Sequence, residues 1–377
     1  MKKNIFYCLL LWCILTACPR PQPDTFKPTP YRLNIPPFFP SVVNIPEDNP
    51  LTVEGVRLGR YLFYDNRLRG YTGNNPDSMM CCATCHIQSN AFVCGMNNPK
   101  FPNGIPRGMN GQATHHNMLP LCNLVFNSNG YDWNGAVYPQ NTNPQYRNIE
   151  DIVLISILAE NELYSSPERC INTLKNISIY PPMFKAAFGS EDITADRIAK
   201  AIAQFVRTLI SCNSRFDQYM RGVTMLTDEE LAGLVLFTTE EGADCFHCHG
   251  SNGNLLMTTN MFYNNGLDSI FTDPMDRYAV TGKESDKGSY RAPTLRNIAL
   301  TAPYMHDGRY TTLDEVIDFY SEGLHASPYV HPLMHQINNG GVMLTPKEKQ
   351  QLKAFLLTLT DYQFIQDTAF SKPRDLP

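Results

Sequence analysis

Two stretches decide the fold: CATCH at residues 82–86 and CFHCH at residues 245–249. In each, two cysteines are separated by two residues and followed at once by a histidine. This pattern attaches a c-type haem, because the thiols bond to the porphyrin and the imidazole binds the iron from one side. The sequence therefore predicts two covalently bound haem c groups, one held by Cys82, Cys85 and His86, the other by Cys245, Cys248 and His249.

A zinc site is the main alternative for such cysteine pairs. Zinc needs four ligands in a tetrahedral arrangement, whereas each of the two motifs is already complete for haem. Cys81 immediately precedes the first motif, but only Cys82 has the two-residue gap to Cys85. We therefore interpret both motifs as haem sites.

The composition is that of a globular protein with room for two domains. The chain has 377 residues, of which 43% are hydrophobic and 18% are charged. A net charge of −5 provides no electrostatic basis for nucleic-acid binding.

The N-terminus has the features of a targeting segment. Lys2 and Lys3 precede an apolar run at residues 5–15, and LTAC at residues 15–18 resembles a bacterial lipobox. The sequence predicts a signal peptide at residues 1–18, lipidation of Cys18 and a proline-rich tether at residues 19–50. We expect an exported, periplasmic lipoprotein anchored to a membrane; an ordinary secretory signal is the alternative.

The rest of the chain is predicted to be mainly α, with long loops and weak strand signals. Apolar residues recur at helical spacing in residues 195–211, and T-x-x-E capping boxes begin at Thr227 and Thr312. Thr345 followed by proline begins a final helix. The prediction is two cytochrome c-like haem domains, residues 51–212 and 213–377.

Several longer segments resemble the bacterial di-haem cytochrome c peroxidase family, which includes the MauG-type enzymes. LGRYLFYD at residues 58–65 is similar to the family's LGxxLFxD segment. APTLRN at residues 292–297, followed by TAPYMHDG at residues 301–308, is similar to its PxLRN…TAPYxHxG block. The resemblance implies that the N-terminal haem reacts with peroxide and that the C-terminal haem transfers electrons.

The resemblance also implies catalytic residues. Glu162 matches the glutamate that assists cleavage of the O–O bond, with Glu160 as a rival two residues away. Trp133 matches an aromatic residue between the haems that relays electrons. WNGA at residues 133–136 departs from the family's W-D-G-R element, because Ala136 replaces the arginine.

A calcium site between the haems is implied by three further matches. Asn117, Thr301 and Pro303 would supply one side-chain oxygen and two backbone carbonyls. Ca²⁺ accepts such oxygen ligands together with water. We therefore expect one calcium ion.

The ligand opposite His86 departs from the family pattern. Many family peroxidases have a histidine there in the resting enzyme, whereas the matching position in this chain is Met109. We expect an open first haem, with capping by Met109, His115 or His116 as the alternative.

The ligand opposite His249 is predicted to be Tyr320. Family peroxidases usually have a methionine at this position, but the MauG-type branch has tyrosine, and a phenolate stabilises ferric iron. Three methionines remain as alternatives: Met305, Met334 and Met343.

These features predict a peroxidase that reduces hydrogen peroxide to water with electrons from a small redox protein, such as a small cytochrome c. The alternative is a MauG-type enzyme that oxidises a protein or small-molecule substrate. A simple electron-transfer cytochrome is a third reading, which Glu162 and the long loops of residues 94–148 disfavour. A homodimer is left open.

Overall fold

The computed structural model describes residues 26–70, 80–250 and 253–376. The predicted signal peptide, Cys18 and the first residues of the predicted tether lie outside these ranges. Most of the regular structure is helical, as predicted, and within the described ranges the strands are short. No helix in the described part of the chain is both long enough and apolar enough to cross a membrane.

The helices are distributed along the whole described chain. The α-helices are α1 Val53–Tyr64, α2 Cys82–Cys85, α3 Ile149–Leu158, α4 Pro167–Lys175, α5 Tyr180–Phe188, α6 Ala195–Arg207, α7 Arg215–Met220, α8 Asp228–Thr238, α9 Phe246–His249, α10 Tyr278–Thr281, α11 Leu313–Glu322 and α12 Pro346–Leu357. The 3-10 helices are Asn66–Leu68, Gln88–Asn90, Leu124–Phe126, Glu284–Asp286, Ile298–Leu300, Ile337–Asn339 and Phe364–Gln366. Strands β1 Phe262–Tyr263 and β2 Tyr290–Arg291 pair antiparallel.

The core of the N-terminal half is built on the crossing of α1 and α6. The hydroxyl group of Thr52 caps α1 and that of Thr194 caps α6. A β-carbon added at Gly59 would lie 1.8 Å from the carbonyl oxygen of Ala201. Glycine at this position therefore allows the two backbones to approach closely.

The core of the C-terminal half repeats this arrangement with α8 and α12. Here a β-carbon at Gly233 would lie 1.9 Å from the carbonyl oxygen of Gln351. The predicted capping boxes at Thr227 and Thr312 form, and the helix predicted to begin at Thr345 begins there, with a capping box of its own. The sequence signals therefore locate the beginnings of α8, α11 and α12.

A buried ion pair lies in each half of the molecule. In the N-terminal half Arg207 donates to both carboxylate oxygens of Glu150, at 2.6 and 2.8 Å. In the C-terminal half Arg296 and Asp217 are both fully buried and share two hydrogen bonds. Charges in such positions are tolerated because they are paired and hydrogen-bonded.

Residues 26–50 differ from the extended tether expected from their prolines. Phe39 and its apolar neighbours in this segment pack against Val125, Phe126 and Leu256 of the body. The backbone of Tyr31 donates to Leu51 at 2.9 Å. The reason is that apolar side chains recur between the prolines, and their burial holds the segment against the molecule.

The C-terminal end of the chain returns to the N-terminal half. Phe364 belongs to the first core. Nε of Arg60 donates to the backbone carbonyl of Ser371 at 2.6 Å, and the hydroxyl of Tyr64 donates to the backbone carbonyl of Phe370 at 2.7 Å. The final residues therefore pack on α1, although the sequence assigns them to the C-terminal unit.

Candidate functional site

The first haem motif forms one short helical turn, α2. His86 N donates to the carbonyl of Cys82 at 2.9 Å, so Cys82, Cys85 and His86 occupy i, i+3 and i+4 positions on one face. Nδ1 of His86 donates to the carbonyl of Phe92 at 2.7 Å. Burial lowers the pKa of His86 to about 4, so the imidazole is neutral and Nε2 keeps its lone pair. This is the state that an iron ligand requires.

Glu162 lies beside this motif, in the turn that follows α3. Burial raises its pKa, the charge of Asp132 acts in the same direction, and a hydrogen bond with Ser156 acts against them. The carboxylate in turn contributes to the raised pKa of the Cys82 and Cys85 thiols, for which burial is the main cause. The rival Glu160 is exposed. The fold therefore brings Glu162 to the first motif and leaves Glu160 in solvent.

Met109 lies close to Glu162, whereas the two candidate histidines point elsewhere. Met109 N donates to the carbonyl of Glu162 at 2.8 Å, and its side chain packs against the first core. His115 and His116 are each hydrogen-bonded through Nε2 to Asp273, at 2.7 Å. The geometry therefore favours Met109 over both histidines as a neighbour of the first motif.

The second haem motif follows α8 and forms the turn of α9. His249 N donates to the carbonyl of Cys245 at 3.0 Å, which again aligns the cysteines and the histidine on one face. Nδ1 of His249 donates to the carbonyl of Pro293 at 3.0 Å, and burial lowers the pKa of His249 to about 4. The second motif therefore presents Nε2 in the same neutral state as the first.

A large, mainly apolar cavity opens beside the second motif. Its lining includes Cys245, Cys248, His249 and Tyr320, so two thiols, an imidazole and a phenol share one space suited to a haem. Asn265 Nδ2 donates to the Tyr320 hydroxyl oxygen at 2.9 Å. Burial raises the pKa of Tyr320, and this hydrogen bond acts in the opposite direction.

The three alternative methionines are placed differently around this cavity. Met305 and Met334 line it together with Tyr320. Met343 is 61% exposed on the surface. The fold thus brings Tyr320 and two of the methionines to the second motif, and Met343 is not one of the residues around the cavity.

Trp133 lines the same cavity and is held by its own polar atom. Nε1 of Trp133 donates to the carbonyl of Asn117 at 2.7 Å. The adjacent residue, Asp132, is close enough to Glu162 to raise the pKa of that carboxyl group. The loop around Trp133 therefore extends from the second cavity toward the first motif.

The predicted calcium ligands come together next to Trp133. The side-chain amide of Asn117 contacts the carbonyls of Pro303 and Met305, and Thr301 lines the same cavity. These contacts place backbone carbonyls and an amide side chain together, and Ca²⁺ prefers such oxygen ligands. In the structure it is the amide nitrogen of Asn117 that faces these carbonyls, while its Oδ1 accepts from Met118 N at 2.8 Å, so the amide would have to turn over to offer its oxygen to an ion.

The sequence did not identify the residues that hold these side chains in place. Asn265 bonds to Tyr320, and Arg291 donates through Nε to the carbonyl of Asp132 at 3.0 Å. Arg277 donates to the carbonyl of Asn134 at 2.7 Å, beside the position where Ala136 replaces the family's arginine. No local pattern marks these partners, because each reaches its target from a distant segment.

Several known proteins similar to this chain are peroxidases or MauG proteins. The profile of the family described as di-haem cytochrome c peroxidase matches residues 53–225. A cytochrome c551 peroxidase of Nitrosomonas europaea is 30% identical over 273 residues, which cover 71% of this chain and 73% of that protein. The methylamine utilization protein MauG of Methylorubrum extorquens is 29% identical over 322 residues, which cover 85% of this chain and 82% of that protein.

Solved structures agree with the sequence relatives. A MauG-like protein associated with microbial copper homeostasis is 33% identical, with a TM-score of 0.77 and coverage of 91% of this chain and 99% of that one. The di-haem peroxidase BthA of Burkholderia thailandensis is 18% identical, with a TM-score of 0.66 and coverage of 86% and 91%, and shares the fold. The predicted family, mainly α fold and peroxidase class are confirmed. This chain belongs to the di-haem cytochrome c peroxidase family.

Proposed function

We propose that this chain reduces hydrogen peroxide to water with two electrons and two protons, the electrons coming from a small redox protein such as a small cytochrome c. The observation that carries the proposal is the half-buried Glu162 carboxyl group, which is close enough to Cys82 and Cys85 to help raise the pKa of their thiols. A haem held by these thiols would supply an iron that binds peroxide and passes electrons to it.

Glu162 is proposed as the group that moves a proton during cleavage of the O–O bond. Its carboxylate takes the proton from one peroxide oxygen and returns it to the other, which leaves as water. The raised pKa brings the carboxyl group closer to neutral pH, so that it both accepts and donates the proton readily.

Electrons are proposed to enter at the second motif and to reach the first by way of Trp133. His249 and His86 would each bind an iron through Nε2, since Nδ1 of each already donates to a backbone carbonyl. Trp133 supports this path because it lines the cavity of the second motif and follows Asp132, which influences Glu162.

Tyr320 is proposed as the ligand opposite His249, with Met305 and Met334 as the alternatives in the same cavity. The hydrogen bond from Asn265 supports this role, because a donor to the phenol oxygen favours its anionic form. The first haem is proposed to be open opposite His86, and Met109 is the alternative cap.

A calcium ion is proposed at Asn117, Thr301 and Pro303. The proposal is supported by the proximity of the three residues, because Asn117, Thr301 and Pro303 line one cavity and the Asn117 side chain reaches the Pro303 carbonyl. An ion there would stiffen the segment whose carbonyl holds Trp133.

We also propose that the chain divides into two domains between residues 212 and 213. The separate α1–α6 and α8–α12 cores support this division.

Export and anchoring are proposed from the N-terminal sequence. The apolar run and the lipobox-like LTAC at residues 15–18 support a signal peptide and lipidation of Cys18. The enzyme would then act in the periplasm, held at a membrane by its lipid.

A MauG-type activity is the second candidate. Tyr320 at the second cavity favours it, and so do a MauG relative and a MauG-like structure among similar proteins. In this case the electrons would come from a protein or small-molecule substrate rather than from a cytochrome.

The two candidates are separated by peroxide turnover with reduced cytochrome c. The peroxidase proposal expects two cytochromes oxidised for each peroxide consumed, with sustained turnover. Consumption of peroxide only when another substrate is present would favour the MauG-type activity instead.

A further inference from the structure

Outside the two haem motifs, two imidazoles converge on one carboxylate in a surface cavity. Nε2 of His115 lies 2.7 Å from Oδ1 of Asp273, and Nε2 of His116 lies 2.7 Å from Oδ2. One ligand atom from each of the three residues falls within 4.8 Å of the others. We call these three residues the His-His-Asp cluster.

The cluster is built by segments far apart in the sequence. His115 and Asp273 are 158 positions apart. The two histidines lie in the long loop of residues 94–148, and Asp273 lies in the segment that leads to α10 and β2. The contact therefore connects the N-terminal half to the C-terminal half.

The carboxylate is held in place by groups outside the cluster. The Tyr290 hydroxyl donates to Oδ2 of Asp273 at 2.6 Å, and Met275 N donates to Oδ1 at 2.9 Å. The rings of His115 and His116 pack edge to face, with centroids 4.7 Å apart. Such outer partners orient ligands and are a general feature of metal sites.

The surroundings favour a cation and leave it a way in. Asp268, Asp276 and Asp307 line the same cavity, and Arg309 is the cationic side chain among its described lining residues. The His115 side chain is 41% exposed, so an ion in solvent can reach the imidazole. Arg309 forms ion pairs with Asp268 and Asp307, and the remaining carboxylates, Asp273 and Asp276, give the cavity a negative potential.

We propose that the His-His-Asp cluster binds one divalent first-row transition-metal ion of the Zn²⁺ or Cu²⁺ class. Imidazole ligands suit these ions, whereas Ca²⁺ and Mg²⁺ prefer oxygen ligands throughout. The ion replaces the protons shared between the imidazoles and the carboxylate, and water completes its coordination. This site is separate from both haem motifs and from the proposed calcium ligands.

The proposed ion would also stabilise the path between the haem motifs. His116 directly precedes Asn117, whose carbonyl accepts the hydrogen bond from Trp133. A bound ion ties this segment to Asp273 in the other half. Metal binding therefore should raise the melting temperature of the holoprotein, because a ligand that binds only the folded state stabilises it.

The test uses purified holoprotein saturated with calcium and titrated with ZnCl₂ or, separately, CuCl₂ in a calorimeter. We expect one equivalent of either ion to bind. Loss of an outer partner alone costs about 10–100-fold in affinity, so H115A and D273N should each weaken binding at least about tenfold. X-ray absorption at the zinc edge should show two imidazoles.

H335A is the matched control, because Glu240, His247 and His335 form a second group of potential ligands beside the other haem motif. We expect H335A to bind Zn²⁺ and Cu²⁺ with the same affinity as the unmodified protein. The Soret and circular-dichroism spectra check folding. If D273N fails to fold, H115A decides the matter, since the His115 side chain is partly exposed.

Three results would overturn the proposal. The first is the absence of Zn²⁺ and Cu²⁺ binding to the unmodified protein. The second is an affinity that H115A and D273N leave unchanged, or that H335A abolishes. The third is an absorption spectrum with only oxygen neighbours. In each case the cluster would be a hydrogen-bonded link between the two halves and no more.

Discussion

Nε1 of Trp133 donates a 2.7 Å hydrogen bond to the backbone carbonyl of Asn117. The side-chain amide of Asn117 in turn contacts the carbonyls of Pro303 and Met305. The proposed electron relay and the proposed calcium site are therefore parts of one structure. A change at either residue should affect both the electron path and the stability of this region.

Replacing Trp133 with phenylalanine tests the relay. W133F keeps an aromatic ring but loses the indole, its hydrogen bond and its ease of oxidation. The lost hydrogen bond should lower the unfolding free energy by about 1 kcal/mol. Turnover with reduced cytochrome c should fall at least about tenfold, an added barrier of about 1.4 kcal/mol. Steady-state kinetics measures this, and unchanged turnover in W133F would rule out the relay.

Replacing Glu162 with glutamine tests the proposed proton transfer. E162Q keeps the size of the side chain and its ability to form hydrogen bonds, but the amide can neither accept nor release a proton as the carboxyl group does. Peroxide turnover should fall by about 10²–10⁴-fold. E160Q is the matched control, because Glu160 is two residues away and exposed, and its turnover should equal that of the unmodified protein. Equal losses in E160Q and E162Q would refute the assignment.

Replacing Tyr320 with methionine tests the ligand opposite His249. If the phenol oxygen binds this iron, Y320M should raise the reduction potential of one haem and leave the other unchanged, because thioether ligation favours the reduced state. Redox titration followed by absorbance measures both potentials. M343L serves as the control, because Met343 is 61% exposed. The assignment fails if both potentials remain the same in Y320M.

Replacing Asp217 with asparagine tests the buried ion pair. D217N leaves the fully buried Arg296 without its counter-charge, and we expect a loss of about 3–5 kcal/mol of unfolding free energy. D318N is the control: Asp318 pairs with Lys349 at the surface, and its loss should cost less than about 1 kcal/mol. Urea unfolding followed by circular dichroism compares the two.

The loss of stability caused by D217N should depend on pH. Burial raises the pKa of Asp217, but hydrogen bonds and charge from Arg296 outweigh it, so the pKa lies below its usual value. An acid with a lowered folded-state pKa stabilises the fold above its unfolded pKa of about 4, and this contribution is lost as the pH falls toward the folded value. The difference in unfolding free energy between the unmodified protein and D217N should therefore become smaller below about pH 4. A constant difference would contradict the account.

Features that depend on neighbouring residues could be predicted from the sequence. The haem motifs are complete within five positions, and the capping box of Thr227 and Glu230 spans one helical turn. Both reflect local geometry, so no knowledge of tertiary contacts is needed. The same holds for the beginning of α12 at Thr345 and Pro346.

Features that depend on contacts between distant segments could not be predicted. Asn265 reaches Tyr320 across 55 positions, and Asp273 reaches His115 across 158. The loops that carry these residues have no periodic pattern from which their partners could be inferred. For the same reason the prolines of residues 26–50 suggested a tether, whereas the contact of Phe39 with the body holds the segment in place.

The central claim is that the first haem motif, assisted by Glu162, is the site that reacts with peroxide. The most direct measurement is rapid-mixing absorbance of the fully oxidised holoprotein with one equivalent of hydrogen peroxide. The account predicts a high-spin band that disappears within the first turnover, returns on addition of reduced cytochrome c, and changes far more slowly in E162Q. Haems that are low-spin from the start and do not respond to peroxide would contradict it and would indicate an electron-transfer cytochrome.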